Sequence, residues 1–260
     1  MMTLFVFLIC LAASTVGGIC GIGGGVIIKP ALDAADVMPV SAVSFLSGLT
    51  VLSMVCVNVY KNRRGGELDA GRSLPLGVGA AVGGIAGKYM FSLLKAAVGA
   101  DRTVGALQAI LLGLMVLGTL VYALNKNRVR ARNVGGWILP SCIGLALGMV
   151  SAFLGIGGGP MNLAVLYYFF SMGTKKAAAN SLLVILLSQG ASLLLSLITG
   201  DVPAFEWRHL AAMVTAGVLG GLLSARMHRR LSERTADHLF IGLLAVIAAI
   251  CAYNAARMLL

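Results

Sequence analysis

The chain has 260 residues, of which 59% are hydrophobic and 11% charged, and its mean hydropathy is +0.95. A soluble domain of this length could not leave so little polar surface to face water. The formal net charge of +11 would suit a nucleic-acid binder, but the 20 Lys and Arg residues sit in short clusters between long apolar runs. That is the pattern of loop charges in a membrane protein, so the expected partner is the lipid bilayer and nucleic acid is excluded.

In chain order, the first apolar segment spans roughly 1–28 and carries no Lys or Arg before Lys29. It lacks the basic start of a signal peptide and is expected to belong to the fold. It also carries Gly21-Ile22-Gly23-Gly24-Gly25. Segments near 38–60, 73–95 and 102–124 follow, each about the length that crosses a bilayer, with Lys61-Asn62-Arg63-Arg64 and Asn125 to Asn133 between them. The stretch 134–170 carries a second glycine run, Gly155-Ile156-Gly157-Gly158-Gly159. Segments near 174–199, 206–227 and 236–256 complete the chain, punctuated by Lys175-Lys176, Asp201 to Arg208 and Arg226 to Arg234.

The two glycine runs are 134 residues apart, and the same register carries Leu32 onto Leu166 and Ser47 onto Ser181. Further on, Gly83-Gly84 matches Gly220-Gly221, Asp69 matches Glu206, and Arg102-Thr103 matches Arg234-Thr235. These matches predict two membrane repeats, 1–130 and 131–260, each a glycine-broken segment followed by three plain spans. Loop charge predicts their orientation. If every segment crosses once, Lys and Arg divide 10 against 9, with Lys88 set aside inside a span. If the two glycine-broken segments are hairpins that enter and leave on one side, the division becomes 14 against 5, with Lys29, Lys95, Arg102, Arg208 and Arg257 on the poorer side. The second arrangement restores the positive-inside bias, places both termini outside the cytoplasm and inverts one repeat relative to the other. The expected fold is therefore all-α and polytopic, with two inverted repeats.

The glycine runs also point to chemistry. Consecutive glycines disfavour a continuous helix, and an unwound turn at membrane depth is tolerated only where it faces protein or a water-filled cavity. Such a turn exposes N–H groups, and a half-helix N-terminus carries partial positive charge. Two facing turns would cradle a small anion. The expected substrate-binding residues are the glycine runs themselves with Ile22 and Ile156, together with Asn162, Asn180 and Ser181 in the second repeat and Ser47 and Thr50 in the first. Close helix packing is the competing role for the glycines, and helix–helix hydrogen bonding for the polar residues. Lys88 is expected to snorkel, and Asp69 and Glu206 to cap helices. The span interiors show almost no carboxylate, so uniport, or coupling through the anion's own protonation, is expected rather than a carboxylate relay.

No cofactor or metal site is expected. Cys10, Cys20, Cys56, Cys142 and Cys251 form no CxxC pair, and His209, His228 and His238 stand at span ends. There is no nucleophile–base pair for an intramembrane enzyme and no GxxxxGK[ST] sequence for an ATP-driven pump.

The segments Gly21 to Leu32 (GIGGGVIIKPAL) and Gly155 to Phe170 (GIGGGPMNLAVLYYFF) resemble the paired signatures of the TauE/SafE sulfite-exporter family. The resemblance implies a secondary transporter, an exporter, of a small organosulfur anion such as sulfite or a sulfonate, in the bacterial inner membrane. A passive anion channel is the alternative. Lys29-Pro30 follows the first motif where Asn162 to Ala164 follows the second, so the two halves need not contribute equally.

Overall fold

The computed structural model describes residues 2–63, 66–98, 101–126, 131–156 and 158–259. The described residues form ten helices and no strand: α1 (Met2–Cys20), α2 (Gly25–Ala35), α3 (Val40–Asn62), α4 (Ala70–Val98), α5 (Asp101–Asn125), α6 (Ile138–Leu154), α7 (Pro160–Phe170), α8 (Thr174–Thr199), α9 (Trp207–Arg230) and α10 (Glu233–Leu259). Seven of them, α1, α3, α4, α5, α8, α9 and α10, are long and apolar enough to cross a membrane. The protein is thus an all-α, polytopic membrane fold. α2 and α7 have 11 residues each, about 16 Å or half a bilayer.

Both short helices end in the same way. Asp36 after α2 and Ser171 after α7 adopt left-handed φ values of 53° and 51°, and they are the only non-glycine residues with positive φ among those described. Their N–H groups donate to Asp33 O and Leu166 O respectively, closing the last turn. Pro160 opens α7, where its missing N–H removes nothing from the helix. The stretch before α6 is extended: Arg132 N donates to Tyr168 O at 2.6 Å and Val134 N to Phe169 O at 2.8 Å, which ties it to the end of α7.

Close helix packing explains much of the glycine content. Gly79, Gly83 and Gly87 of α4 press against the carbonyl oxygens of Ser141, Leu145 and Met149 of α6, where a Cβ would come within 2.0–2.2 Å of each. Gly144 and Gly148 of α6 press back on the carbonyls of Leu76 and Ala80. The steady four-residue steps make α4 and α6 parallel neighbours with backbones in direct contact, the small-residue seam by which membrane helices associate. α1 meets α9 in a matching seam, with Gly18 on Ser224 and Gly220 on Ser14. In it Asn58 of α3 donates to Ser224 Oγ at 3.0 Å.

The same contacts give the helix directions. α1 runs parallel to α9, and α3 also runs parallel to α9, with Gly217 on Thr50 and Gly221 on Met54. α8 runs parallel to α4, with Gly77 on Leu187 and Gly84 on Ser192. Because α1 and α3 share a direction, α2 returns the chain to the side from which α1 started. α6 and α8 share a direction in the same way, and α7 makes the return. Helices from the two halves interleave: α1 packs on α9, α6 on α4, and α5 on α10.

Candidate anion-binding cavity

Each glycine run forms the turn between a long helix and a half-helix. In the first, Gly21 and Gly23 have φ of 74°, left-handed values that glycine adopts without strain, and Ile22 N donates to Gly17 O at 3.0 Å. In the second, Gly155 caps α6 with φ 65°, its N–H donates to Ala152 O at 3.1 Å, and Gly158 has φ 120°. Gly159 is the N-cap of α7, and Gly157 lies outside the described residues. The two turns touch: a Cβ on Gly25 would stand 1.9 Å from the carbonyl oxygen of Ile156. It would also stand 3.1 Å from Val51, midway along α3, while one on Gly158 would meet Ile185, midway along α8. The turns therefore meet near half the length of the spans.

The first turn is closed in. Gly21, Ile22, Gly23, Gly24 and Gly25 are buried, and a Cβ on Gly21 would overlap Ala178 of α8. Ile156, Gly158 and Gly159 are buried as well, and Ile22 and Ile156 share one apolar core. Gly155 alone of the described motif glycines lines the large cavity, a space of about 560 Å³. Its walls come from the start of α3, the end of α4, the start of α5, the end of α6 and the last turns of α8. The lining carries the polar side chains of Ser44, Gln108, Gln189 and Ser192, with Ser44 Oγ against Gly155 at its deep wall. At the rim, Lys88 pairs with Asp201 at 3.4 Å, and Ser92 Oγ donates to the same carboxylate oxygen at 3.2 Å.

Behind that deep wall stands Lys29, on α2 and only 3% exposed. Its Nζ donates to Ser44 Oγ at 2.6 Å and to Gln108 Oε1 at 2.7 Å, and it would lie 3.5 Å from a Cβ on Gly155. Gln108 Nε2 donates in turn to Phe153 O at 2.7 Å, and Ser44 Oγ to Val40 O at 2.9 Å. One of the three ammonium protons is left without a partner among the described residues. Lys29 corrects two sequence expectations. It is not an external loop charge, and Lys88 is not the only cation at membrane depth. The apolar stretch taken to end at residue 28 continues into α2, so Lys29 falls in the second turn of a half-helix. Asp33, one turn further on, is also half-buried inside the fold, where no carboxylate was expected. The usable signal was a lone Lys four positions after Gly25 with apolar residues on both sides.

The other expected site residues have various surroundings. Ser47 and Ser181 are fully buried, and neither hydroxyl oxygen has a partner among the described residues. Asn162, on the first turn of α7, is 2% exposed and its Oδ1 is likewise unpartnered. Thr50 donates to Leu46 O on its own helix. Asn180 has all four hydrogen-bonding positions filled: Oδ1 accepts from Asp69 N and Ser73 Oγ, and Nδ2 donates to Glu67 O and Lys176 O. Asn180 thus ties α8 to the loop before α4. The residues not foreseen are Lys29, Ser44, Gln108 and Ser192.

Paired half-helices at mid-span, a cavity with polar side chains in its lining beside them and a buried cation behind its wall describe a membrane transporter for a small solute. Residues 6–250 match the sulfite exporter family TauE/SafE, and the chain belongs to that family. It is a multi-pass membrane transporter of that family and not an enzyme, and the family description points to a small anion as cargo. It is similar to the probable membrane transporter protein YunE of Bacillus subtilis (strain 168), with 26% identity over 89% of this chain and 91% of that protein. No solved structure matches it.

Proposed function

We propose that the protein is a secondary transporter that exports a small organosulfur anion, such as sulfite or a sulfonate, across a bacterial inner membrane. Its two halves, 1–130 and 131–260, are proposed to act as inverted repeats in an alternating-access cycle. The observation that carries this is Lys29, a buried ammonium directly behind Ser44 and Gln108, which line the cavity. A cation held out of water is costly unless an anion or several dipoles face it. Here two neutral oxygens face it directly and Asp33, one turn along α2, is the acid near it, and an incoming anion would supply further countercharge. Gly155, Gln108, Gln189 and Ser192 would then contribute dipoles around the ligand. The unpartnered oxygens of Ser47, Asn162 and Ser181 are further candidate contacts, since buried polar atoms rarely stay unpaired.

A carrier is favoured over a passive channel because the cavity is walled by the start of α3, the end of α4 and the last turns of α8, which all lie at one end of the spans. At the opposite end Gly21 sits against Ala178, and Gly155 sits against Ser44 at the cavity end. These two contacts are equivalents in the 134-residue register, which supports inverted units: one contact plugs the closed end while its counterpart lines the cavity. Under the loop-charge topology the cavity faces outward and the plugged end faces the cytoplasm.

Counterflow in proteoliposomes tests the proposal. Labelled sulfite should accumulate transiently against internal unlabelled sulfite, saturate, and fail in Lys29→Gln. Flux that does not saturate and shows no exchange would identify a channel instead.

A further inference from the structure

The plugged end carries a second buried group that the transport site does not use. His228, in the last turn of α9, is 3% exposed. Its Nδ1 lies 3.1 Å from the carbonyl oxygen of Ile19, next to the last residue of α1, and its Nε2 lies 3.2 Å from Glu67 Oε2. Glu67 belongs to the loop between α3 and α4, and its backbone carbonyl accepts from Asn180 Nδ2 at 3.0 Å. Asn180 also accepts from Asp69 N at 2.9 Å and Ser73 Oγ at 2.6 Å. The segment 67–73 is therefore strapped to α8 by Asn180 and to α9 and α1 through His228. The strap lies beside the first glycine turn, two residues beyond Ile19.

Proton counting makes this contact unusual. A carbonyl oxygen can only accept, so the Nδ1 contact is a hydrogen bond only when Nδ1 carries a proton. In neutral imidazole that leaves a bare lone pair on Nε2, facing a carboxylate that is also only an acceptor. The bond to Glu67 needs one more proton, present either as imidazolium with carboxylate or as a carboxylic acid donating to Nε2. The ion pair at the cavity rim, Lys88 with Asp201, needs none, because an ammonium already supplies its donor. Around His228, α1 presents the Ile19 carbonyl and no charged group. α3 ends in Lys61, whose carbonyl accepts from Arg229 at 2.7 Å, and α9 adds Arg229 and Arg230. Glu67 is the acid in contact with the ring.

We infer that His228 and Glu67 together form a proton-binding site that latches the closed end of the transporter. With the proton bound, the strap joins α9 and α1 and the mouth is shut. Without it, the neutral ring can donate to Ile19 or to Glu67 but not to both, and the bridge between α1 and the strap is broken. The closed form holds one proton more than the open form, so low pH favours closure and rising pH favours opening, by up to tenfold per pH unit. Histidine is the side chain whose ordinary titration lies near neutrality, which suits it to this task. The latch extends the alternating-access reading, since it names what holds the closed end, but it does not depend on which anion is carried.

Hydrogen exchange of segment 66–73, read by mass spectrometry on the purified full chain between about pH 6 and about pH 8, tests the latch. After correction for intrinsic exchange, opening of the wild-type segment should become up to tenfold more frequent per pH unit over part of that range. In Glu67→Gln the side-chain amide donates to neutral Nε2 without an added proton, so protection should persist at the upper pH and lose its pH dependence. In His228→Gln the dependence should vanish as well, which keeps the test decisive if either variant folds poorly. A flat wild-type profile, or a Glu67→Gln profile with the wild-type slope, would overturn the latch. Failure of sulfite counterflow would instead remove the proposed cargo and leave this result standing.

Discussion

Lys29 and Gln108 are 79 positions apart in the chain, yet the Lys29 ammonium donates to Gln108 Oε1 at 2.7 Å inside the fold. The contact joins half-helix α2 to α5, and through Gln108 Nε2 to Phe153 O it reaches the end of α6 beside the second glycine turn. A buried cation held by two residues of the first half is thereby linked through Gln108 to the second.

Replacing that cation gives the first prediction. Lys29→Gln keeps a hydrogen-bonding side chain but removes the charge. Binding of sulfite, followed by ligand-induced thermal shift, should fall at least tenfold, because a charge-assisted contact is worth about 1.5–3 kcal/mol. Gln108→Ala should weaken binding less, since the ammonium remains. Equal affinity in wild type and Lys29→Gln would place the anion elsewhere.

The glycine seam between α4 and α6 gives the second. Gly83→Ala puts a methyl 2.0 Å from the Leu145 carbonyl oxygen, so the helices must separate. The cost should be about 1–3 kcal/mol, as for other overpacked sites, and the variant should melt several degrees lower in detergent. Gly118→Ala is the contrast, because nothing lies within 4 Å of its added methyl. It should be neutral or stabilise by up to about 1 kcal/mol through helix propensity.

At the contact between the two turns, Gly25→Ala should be more severe. Its methyl would lie 1.9 Å from the Ile156 carbonyl oxygen, a backbone atom that cannot swing away as the end of a flexible side chain would, with Val51 3.1 Å off. The expected outcome is loss of monodisperse protein on gel filtration. A Gly25→Ala protein that is monodisperse and binds sulfite normally would show that the close approach of the turns is dispensable.

Asn180 separates structural from ligand-binding roles. Asn180→Ala removes four hydrogen bonds at a fully buried position. At about 1 kcal/mol for each bond, partly offset by relaxation, the loss should be about 2–4 kcal/mol. Faster hydrogen exchange should be confined to segment 66–73, with sulfite affinity little changed in the folded fraction.

Topology is tested without any substrate. Single cysteines at Lys126, Lys175 and Arg229 should all react with impermeant maleimide from the cytoplasmic side, and none from outside. Arg229 on the opposite side from Lys126 would exclude the two-hairpin arrangement.

The membrane class and the helical fold were legible in the sequence because both follow from local quantities. A run of about 20 apolar residues must form a helix in lipid, where each backbone amide needs an internal partner. The breaks at the glycine runs were legible for the same reason, as was the family resemblance carried by their pairing. The surroundings of Lys29, Asn180 and His228 were not legible, because they depend on contacts across tens to hundreds of positions. Lys29 looks like a loop charge until α2 is seen folding back against α3 and α5. Asn180 looks like a ligand group until Glu67, Asp69 and Ser73, with Lys176 of its own helix, are seen occupying all of its hydrogen-bonding positions. His228 looks like an ordinary span-end residue until the end of α1 and Glu67 are seen converging on its two nitrogens. Sequence alone determined which segments enter the membrane. Tertiary packing decided which polar atoms were left facing a cavity and which were already paired, because pairing is set by distance in space and not along the chain.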